Sequence, residues 1–162
     1  TLPEALFARW VNAVEVRFDE QVAGLGCVQG GRAEGLLHGG NLAVLSALIG
    51  TPHFPRLEGC VLYLEDTGER PYRVDRMLTS WRAAGAFAGV RGIVLGAFVN
   101  AETPDGPSVH EVLAERLSDL GVPVASGLPS GHVEDNLELP FGTRVTLDAT
   151  RGELWMMDRR SS

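Results

Sequence analysis

Gly59-Cys60-Val61-Leu62-Tyr63-Leu64-Glu65-Asp66 is an apolar run of strand length that ends abruptly in two carboxylates. A continuous apolar run of this length reads as a strand buried on both faces. It places acid at the carboxyl end of that strand, the edge at which open α/β sheets build their sites. One helix-length upstream stands Gly39-Gly40-Asn41-Leu42, which reads as a glycine turn running into a helix over Asn41 to Ile49, with Leu42, Leu45, Leu48 and Ile49 on one face. Gly50 is its stop signal.

The same alternation continues downstream. Pro71 to Ala84 reads as a helix, with Pro71 suited to the first turn and Val74, Met77, Leu78 and Trp81 on its apolar face. Gly92 to Val99 reads as a second buried strand. Ser108 with Glu111 three residues on is the capping-box pattern, opening a helix to about Leu120. Pro123 to Ser126 is a third strand, and Arg144 to Leu147 with Glu153 to Met157 form an expected hairpin around Thr150-Arg151-Gly152. Ala33 to His38 and Val14 to Phe18 read as shorter strands, and Leu2 to Val14 has the i+4 spacing of an arm or linker helix. Strands alternating with helices and closed by a hairpin predict an α/β fold with a mixed sheet.

Composition narrows the function. The chain has 162 residues, of which 44% are apolar, enough for one domain core. Asp and Glu outnumber Arg by 21 to 14 and lysine is absent, so the chain lacks the basic footprint that nucleic acid requires. No stretch approaches the ~20 apolar residues of a membrane span, and no signal-peptide pattern opens the chain. A cytoplasmic location is expected, with no membrane partner. Thr1 stands where an initiator Met would be, as in a processed or truncated chain. Cys27 and Cys60 both lie in apolar contexts and read as reduced core residues; their spacing fits no zinc pattern.

The candidate chemistry rests on few residues. Glu65 ends the strongest strand. The bland alternative is a turn cap, or a partner for Arg70, Arg73 or Arg76. Asp66 points to the opposite face if the strand continues, so one acid of the pair is expected to be structural. His132, in Leu128-Pro129-Ser130-Gly131-His132, is a possible proton carrier or a plain loop histidine. Gly39, Gly40 and Asn41 could cradle an anion at a helix start, or Asn41 could simply cap the helix. His38 could approach the same place, whereas His53 and His110 read as surface residues. A metal set of His38, Glu65, Asp66 and His132 is conceivable but has no compact ligand spacing, and no cofactor is implied. Nucleophile candidates are poor: Ser130 does not sit in a G-x-S-x-G elbow, and Ser46 and Ser80 lie on helices.

Taken together, Gly35-Leu36-Leu37-His38-Gly39-Gly40-Asn41-Leu42, Leu48-Ile49-Gly50-Thr51-Pro52, Leu62-Tyr63-Leu64-Glu65-Asp66, Glu69 to Leu78, Gly92-Ile93-Val94-Leu95-Gly96 and Gly131-His132 resemble the C-terminal domain of LD-carboxypeptidases, also called muramoyltetrapeptide carboxypeptidases, to which the microcin C self-immunity peptidases are related. The resemblance covers roughly Val28 to Leu147. It implies a swivelling mixed β/α domain over residues 14–162, preceded by an arm at 1–13. It implies a two-domain serine peptidase with a Ser-Glu-His triad, in which Glu65 and His132 are the matching glutamate and histidine and the serine belongs to an N-terminal domain absent from this sequence. The implied partners are a muropeptide tetrapeptide, cleaved before its terminal D-alanine, the missing domain, and a second copy in a homodimer. By this reading the chain alone is inactive. Two other classes remain beside it: a peptide- or sugar-binding module using Gly39-Gly40-Asn41, and a metal-dependent hydrolase centred on His38, Glu65 and His132.

Overall fold

The computed structural model describes residues 20–104 and 106–156. The expected arm helix at 2–14 and strand at 14–18 lie outside the described residues. Among the described residues eight strands and three helices follow in chain order: β1 (Glu20–Ala23), β2 (Gly26–Gln29), β3 (Arg32–Asn41), α1 (Leu42–Leu48), β4 (Cys60–Thr67), α2 (Pro71–Ala83), β5 (Gly92–Val99), α3 (Val109–Leu117), β6 (Val124–Ser126), β7 (Arg144–Asp148) and β8 (Glu153–Met156). The fold is α/β with one mixed sheet, in the order β1-β8-β7-β3-β4-β5-β6-β2. β3 to β6 run parallel, each joined to the next through a helix. β7, β8, β1 and β2 add antiparallel edges.

Connectivity forces the sheet to curl. β1 and β2 lie at opposite ends of the strand order, yet only Gly24 and Leu25 join them. A flat eight-stranded sheet would span ~34 Å at about 4.8 Å per strand, and so short a link reaches only ~11 Å. The two edges therefore approach each other. Leu25 N donates to Gly152 O at 3.0 Å, Ala149 N to Gly31 O at 2.9 Å, and Gly31 N to Thr150 Oγ1 at 2.9 Å.

The curl makes two cores. Inside it lie Leu37, Val61, Tyr63, Val94, Ala125, Val145, Leu147, Leu154 and Met156. Outside, Leu62, Leu64, Ile93, Leu95 and Val124 pack against Leu42 and Leu45 of α1, Val74, Leu78 and Trp81 of α2, and Val112, Leu113 and Leu117 of α3. β4 serves both cores by period-two alternation, which is why its sequence is apolar without a break. Trp81 is fully buried, and its indole N–H donates to Ser46 Oγ at 2.8 Å. Outside the core, Arg116 of α3 pairs with Asp75 of α2, and Arg82 of α2 pairs with Asp119 just past the end of α3.

Several boundaries depart from the sequence expectation. Gly39 and Gly40 do not turn; they continue β3 in extended geometry, with φ of +145° and +153°. A Cβ at Gly39 would lie 1.9 Å from Tyr63 O, so glycine here lets β3 lie against β4. β1 escaped a pattern reading because Glu-Gln-Val-Ala carries little β signal; its pairing with β8 creates it. Cys60 is buried as expected, and burial pushes its thiol up, but Cys27 is exposed on edge strand β2. The capping box is formed: Glu111 N donates to Ser108 Oγ, and Ser108 N donates to Glu111 Oε2. Among the described residues no helix is long and apolar enough to cross a membrane.

Candidate active site

The parallel strands deliver their carboxyl ends to one edge, and Asn41, Glu65 and Asp66 arrive there together. Alternation along β4 sends the two acids to different faces. Asp66 turns toward α1. The residue is 3% exposed, and its carboxylate accepts from Asn41 Nδ2 at 3.0 Å, Ala43 N at 2.8 Å and Thr67 N at 2.8 Å. Asn41 Oδ1 accepts from Val44 N at 3.0 Å. Asp66 and Asn41 thus take up the opening amides of α1, and Asp66 is the structural member of the acid pair.

Glu65 turns the other way, to the mouth of the inner core. Its side chain is 8% exposed, and Oε2 lies 2.8 Å from Nδ1 of His132. His132 comes from the loop that leaves β6 at the same edge. Leu128 N donates to Leu95 O at 3.0 Å and Ala97 N to Ser130 O at 2.8 Å, so this segment continues the parallel ladder beside β5 before turning over Glu65. Gly131 makes that turn possible. Its φ is +114°, and a Cβ there would stand 2.9 Å from Glu65 Oε2.

A recess of about 320 Å³ opens beside the pair, lined among others by Gly40, Tyr63, Glu65, His132, Leu137 and Phe141. Phe141 is 51% exposed and stands 6.0 Å, centroid to centroid, from Tyr63. Tyr63 shares the inner face with Glu65, two residues away. Its hydroxyl is buried and, among the described residues, meets no partner in hydrogen-bond geometry, with the Ser130 side chain its polar neighbour. Burial pushes its phenol up to about 12; the neighbouring Ser130 side chain pulls it down and the Glu65 charge adds to the rise.

The structure thus brings Glu65 and His132 together, with Gly40 beside them. Asn41 stands opposite Glu65 in the register and Gly39 opposite Tyr63. His53 and His110 are exposed. No group of three or more His, Cys, Asp and Glu among the described residues is placed to hold a metal ion, and Glu65 and Asp66 face apart, so the four-residue metal set is not assembled. Ser130 Oγ donates to Leu137 O at 2.9 Å, an interaction that braces the loop. Sequence reading missed Tyr63 and Phe141 as site residues. Period two from Glu65 was a usable signal for Tyr63; Phe141 reaches the site only through the long return of the chain to β7.

An imidazole held at Nδ1 by a buried carboxylate presents Nε2, unbonded among the described residues, to exchange a proton. An imidazole and carboxylate so arranged can act as a general base and its orienter. Residues 34–147, which contain both side chains, match the family model described as LD-carboxypeptidase C-terminal domain. The chain belongs to this family. A carboxypeptidase-like protein of Synechocystis sp. is 48% identical over 129 residues, covering 78% of this chain and 43% of the relative. The murein tetrapeptide carboxypeptidase of Pseudomonas aeruginosa is 34% identical over 124 residues, covering 74% of this chain and 40% of that protein. The crystal structure of muramoyltetrapeptide carboxypeptidase from Oxalobacter formigenes superposes with a TM-score of 0.78 at 32% identity, covering 96% of this chain and 54% of the other. The chain spans less than half the length of these two curated relatives.

Proposed function

We propose that residues 14–162 are the C-terminal domain of a two-domain serine LD-carboxypeptidase, entered through the arm at 1–13, and that they supply the glutamate and histidine of its Ser-Glu-His triad. The observation that carries this reading is the 2.8 Å contact between Glu65 Oε2 and His132 Nδ1 within the matched region. His132 Nε2 takes the proton of a serine brought by the other domain and returns it to the leaving amine. Glu65 fixes the Nδ1–H tautomer and stabilises the imidazolium, to which its burial gives strength. Gly40 lines the recess and offers its backbone to the peptide, Gly39 holds that strand end against β4, and Asn41 orders the start of α1 beside them.

The proposed substrate is a murein tetrapeptide and the product its terminal D-alanine, by likeness to the Pseudomonas and Oxalobacter proteins. The microcin C7 self-immunity protein of Escherichia coli is also similar, at 31% identity. Its solved structures superpose at TM-score 0.74 and 26% identity, below the muramoyltetrapeptide enzyme on both measures, which favours the murein reading.

The test is D-alanine release from a murein tetrapeptide. The chain alone is assayed first, then the chain fused behind the serine-bearing domain of the Synechocystis relative. Turnover by the fusion that falls at least 10³-fold in Glu65→Gln and His132→Ala supports the reading. Turnover by the chain alone that is lost in Ser130→Ala overturns it.

A further inference from the structure

His132 is held to Glu65 by one contact, and its side chain is 55% exposed. The residue before it is a glycine. Gly131 is required because any Cβ would strike Glu65, but glycine is also the residue with the greatest backbone freedom. Close approach to Glu65 therefore makes the peptide that carries His132 easy to rotate. Something must remove that freedom.

Asn136 is placed to do so. Its Oδ1 accepts from Gly131 N at 2.8 Å, across a loop that leaves and returns within a few residues. Two further bonds close the loop's neck: Leu137 N donates to Pro129 O at 2.7 Å, and Ser130 Oγ donates to Leu137 O at 2.9 Å. Ser130 Oγ also lies 3.4 Å from Asn136 Oδ1. Upstream, Ser130 O is fixed to β5 through Ala97 N. Gly131 and His132 lie beyond that last anchor to β5; Val133 N donates to Gly131 O at 2.9 Å across His132, and the Asn136 side chain is what holds the Gly131 amide.

We infer that Asn136 is a positioning residue, which acts through the Gly131 amide to keep His132 Nδ1 on Glu65. The role needs one acceptor oxygen at the γ-carbon. Asn136→Asp preserves that oxygen, and Asn136→Ala removes it. The inference rests on the reading of His132 as the catalytic base. Its test reads the imidazole without turnover, so the two fail separately.

The experiment uses the full chain and its Asn136→Ala and Asn136→Asp variants. Imidazole ¹⁵N shifts report the His132 tautomer, Gly131 amide exchange reports its hydrogen bond, and thermal unfolding checks the fold. The wild type shows the Nδ1–H tautomer. Asn136→Ala mixes the tautomers and speeds Gly131 exchange by roughly 2- to 12-fold, the equivalent of one hydrogen bond. Asn136→Asp restores both signals. An unchanged tautomer and exchange rate in a folded Asn136→Ala chain overturns the inference. Failure of a folded Asn136→Asp chain to restore them also overturns it, because the acceptor would then not be what matters.

Discussion

Gly131 rests directly on the Glu65 side chain: a Cβ at Gly131 would meet Glu65 Oε2 at 2.9 Å and Glu65 Cβ at 3.1 Å. The histidine can reach its carboxylate only because the residue before it has no side chain. Gly131→Ala is therefore expected to separate His132 from Glu65 as well as to strain a backbone at φ +114°. The strain should cost about 1–3 kcal/mol, read by denaturant unfolding. Retention of the wild-type His132 ¹⁵N shifts in this variant would contradict the geometry.

The two adjacent acids should separate cleanly on mutation. Asp66 is buried and accepts three hydrogen bonds, two of them from backbone amides that would be left unpaired. Asp66→Ala is expected to destabilise the domain by about 2–4 kcal/mol. Glu65→Gln keeps the shape and touches one partner, so stability should change by less than about 1 kcal/mol, while turnover of the fused enzyme collapses. Chemical denaturation of both variants decides the matter. Equal losses would mean that Glu65 is as structural as Asp66.

How much of this was legible beforehand follows from where each signal lives. β4, α2, β5 and the capping box at Ser108 were readable because hydrophobic period, Pro71 and the Ser108/Glu111 spacing are local. The Gly39-Gly40 pair was misread as a turn because glycine signals a need for space without saying why; the reason is Tyr63 O on the neighbouring strand. β1 and Phe141 acquire their roles only through pairings and returns across more than a hundred and about eighty residues respectively, which no window of sequence contains. Glu65 and His132 were nameable through the family resemblance. Their contact depends on the ladder from β6 past β5, which only the folded chain shows.

The two glycines of β3 make a controlled comparison. Both have φ near +150°, but a Cβ at Gly39 would lie 1.9 Å from Tyr63 O, whereas at Gly40 none of the described residues would come within 4 Å. Gly40→Ala should cost only the backbone term, about 1–3 kcal/mol. Gly39→Ala adds a collision with strand backbone that cannot yield without parting β3 from β4, and should exceed about 4 kcal/mol or prevent folding. Parallel urea unfolding curves test this. Similar midpoints for the two variants would show that β3 and β4 do not pack as closely as described.

Tyr63 gives a pH signature. Its hydroxyl is buried and unpartnered among the described residues, and its pKa is raised from about 10 to about 12, chiefly by burial. A raised pKa means that the folded state holds the proton more tightly. The associated stability is complete below pH ~10, where the unfolded chain's tyrosines titrate, and is lost as pH rises through about 12. Two pK units correspond to about 3 kcal/mol at most. The wild-type domain should therefore weaken steeply between pH ~10 and ~12, and Tyr63→Phe should remove much of that slope. At neutral pH the same substitution discards a hydroxyl that meets no partner in hydrogen-bond geometry among the described residues, so stability should be unchanged or slightly higher. Thermal unfolding of both proteins across this range is the measurement. A Tyr63→Phe chain less stable than the wild type at pH 7 would mean that the hydroxyl has a partner, with Ser130 the first place to look.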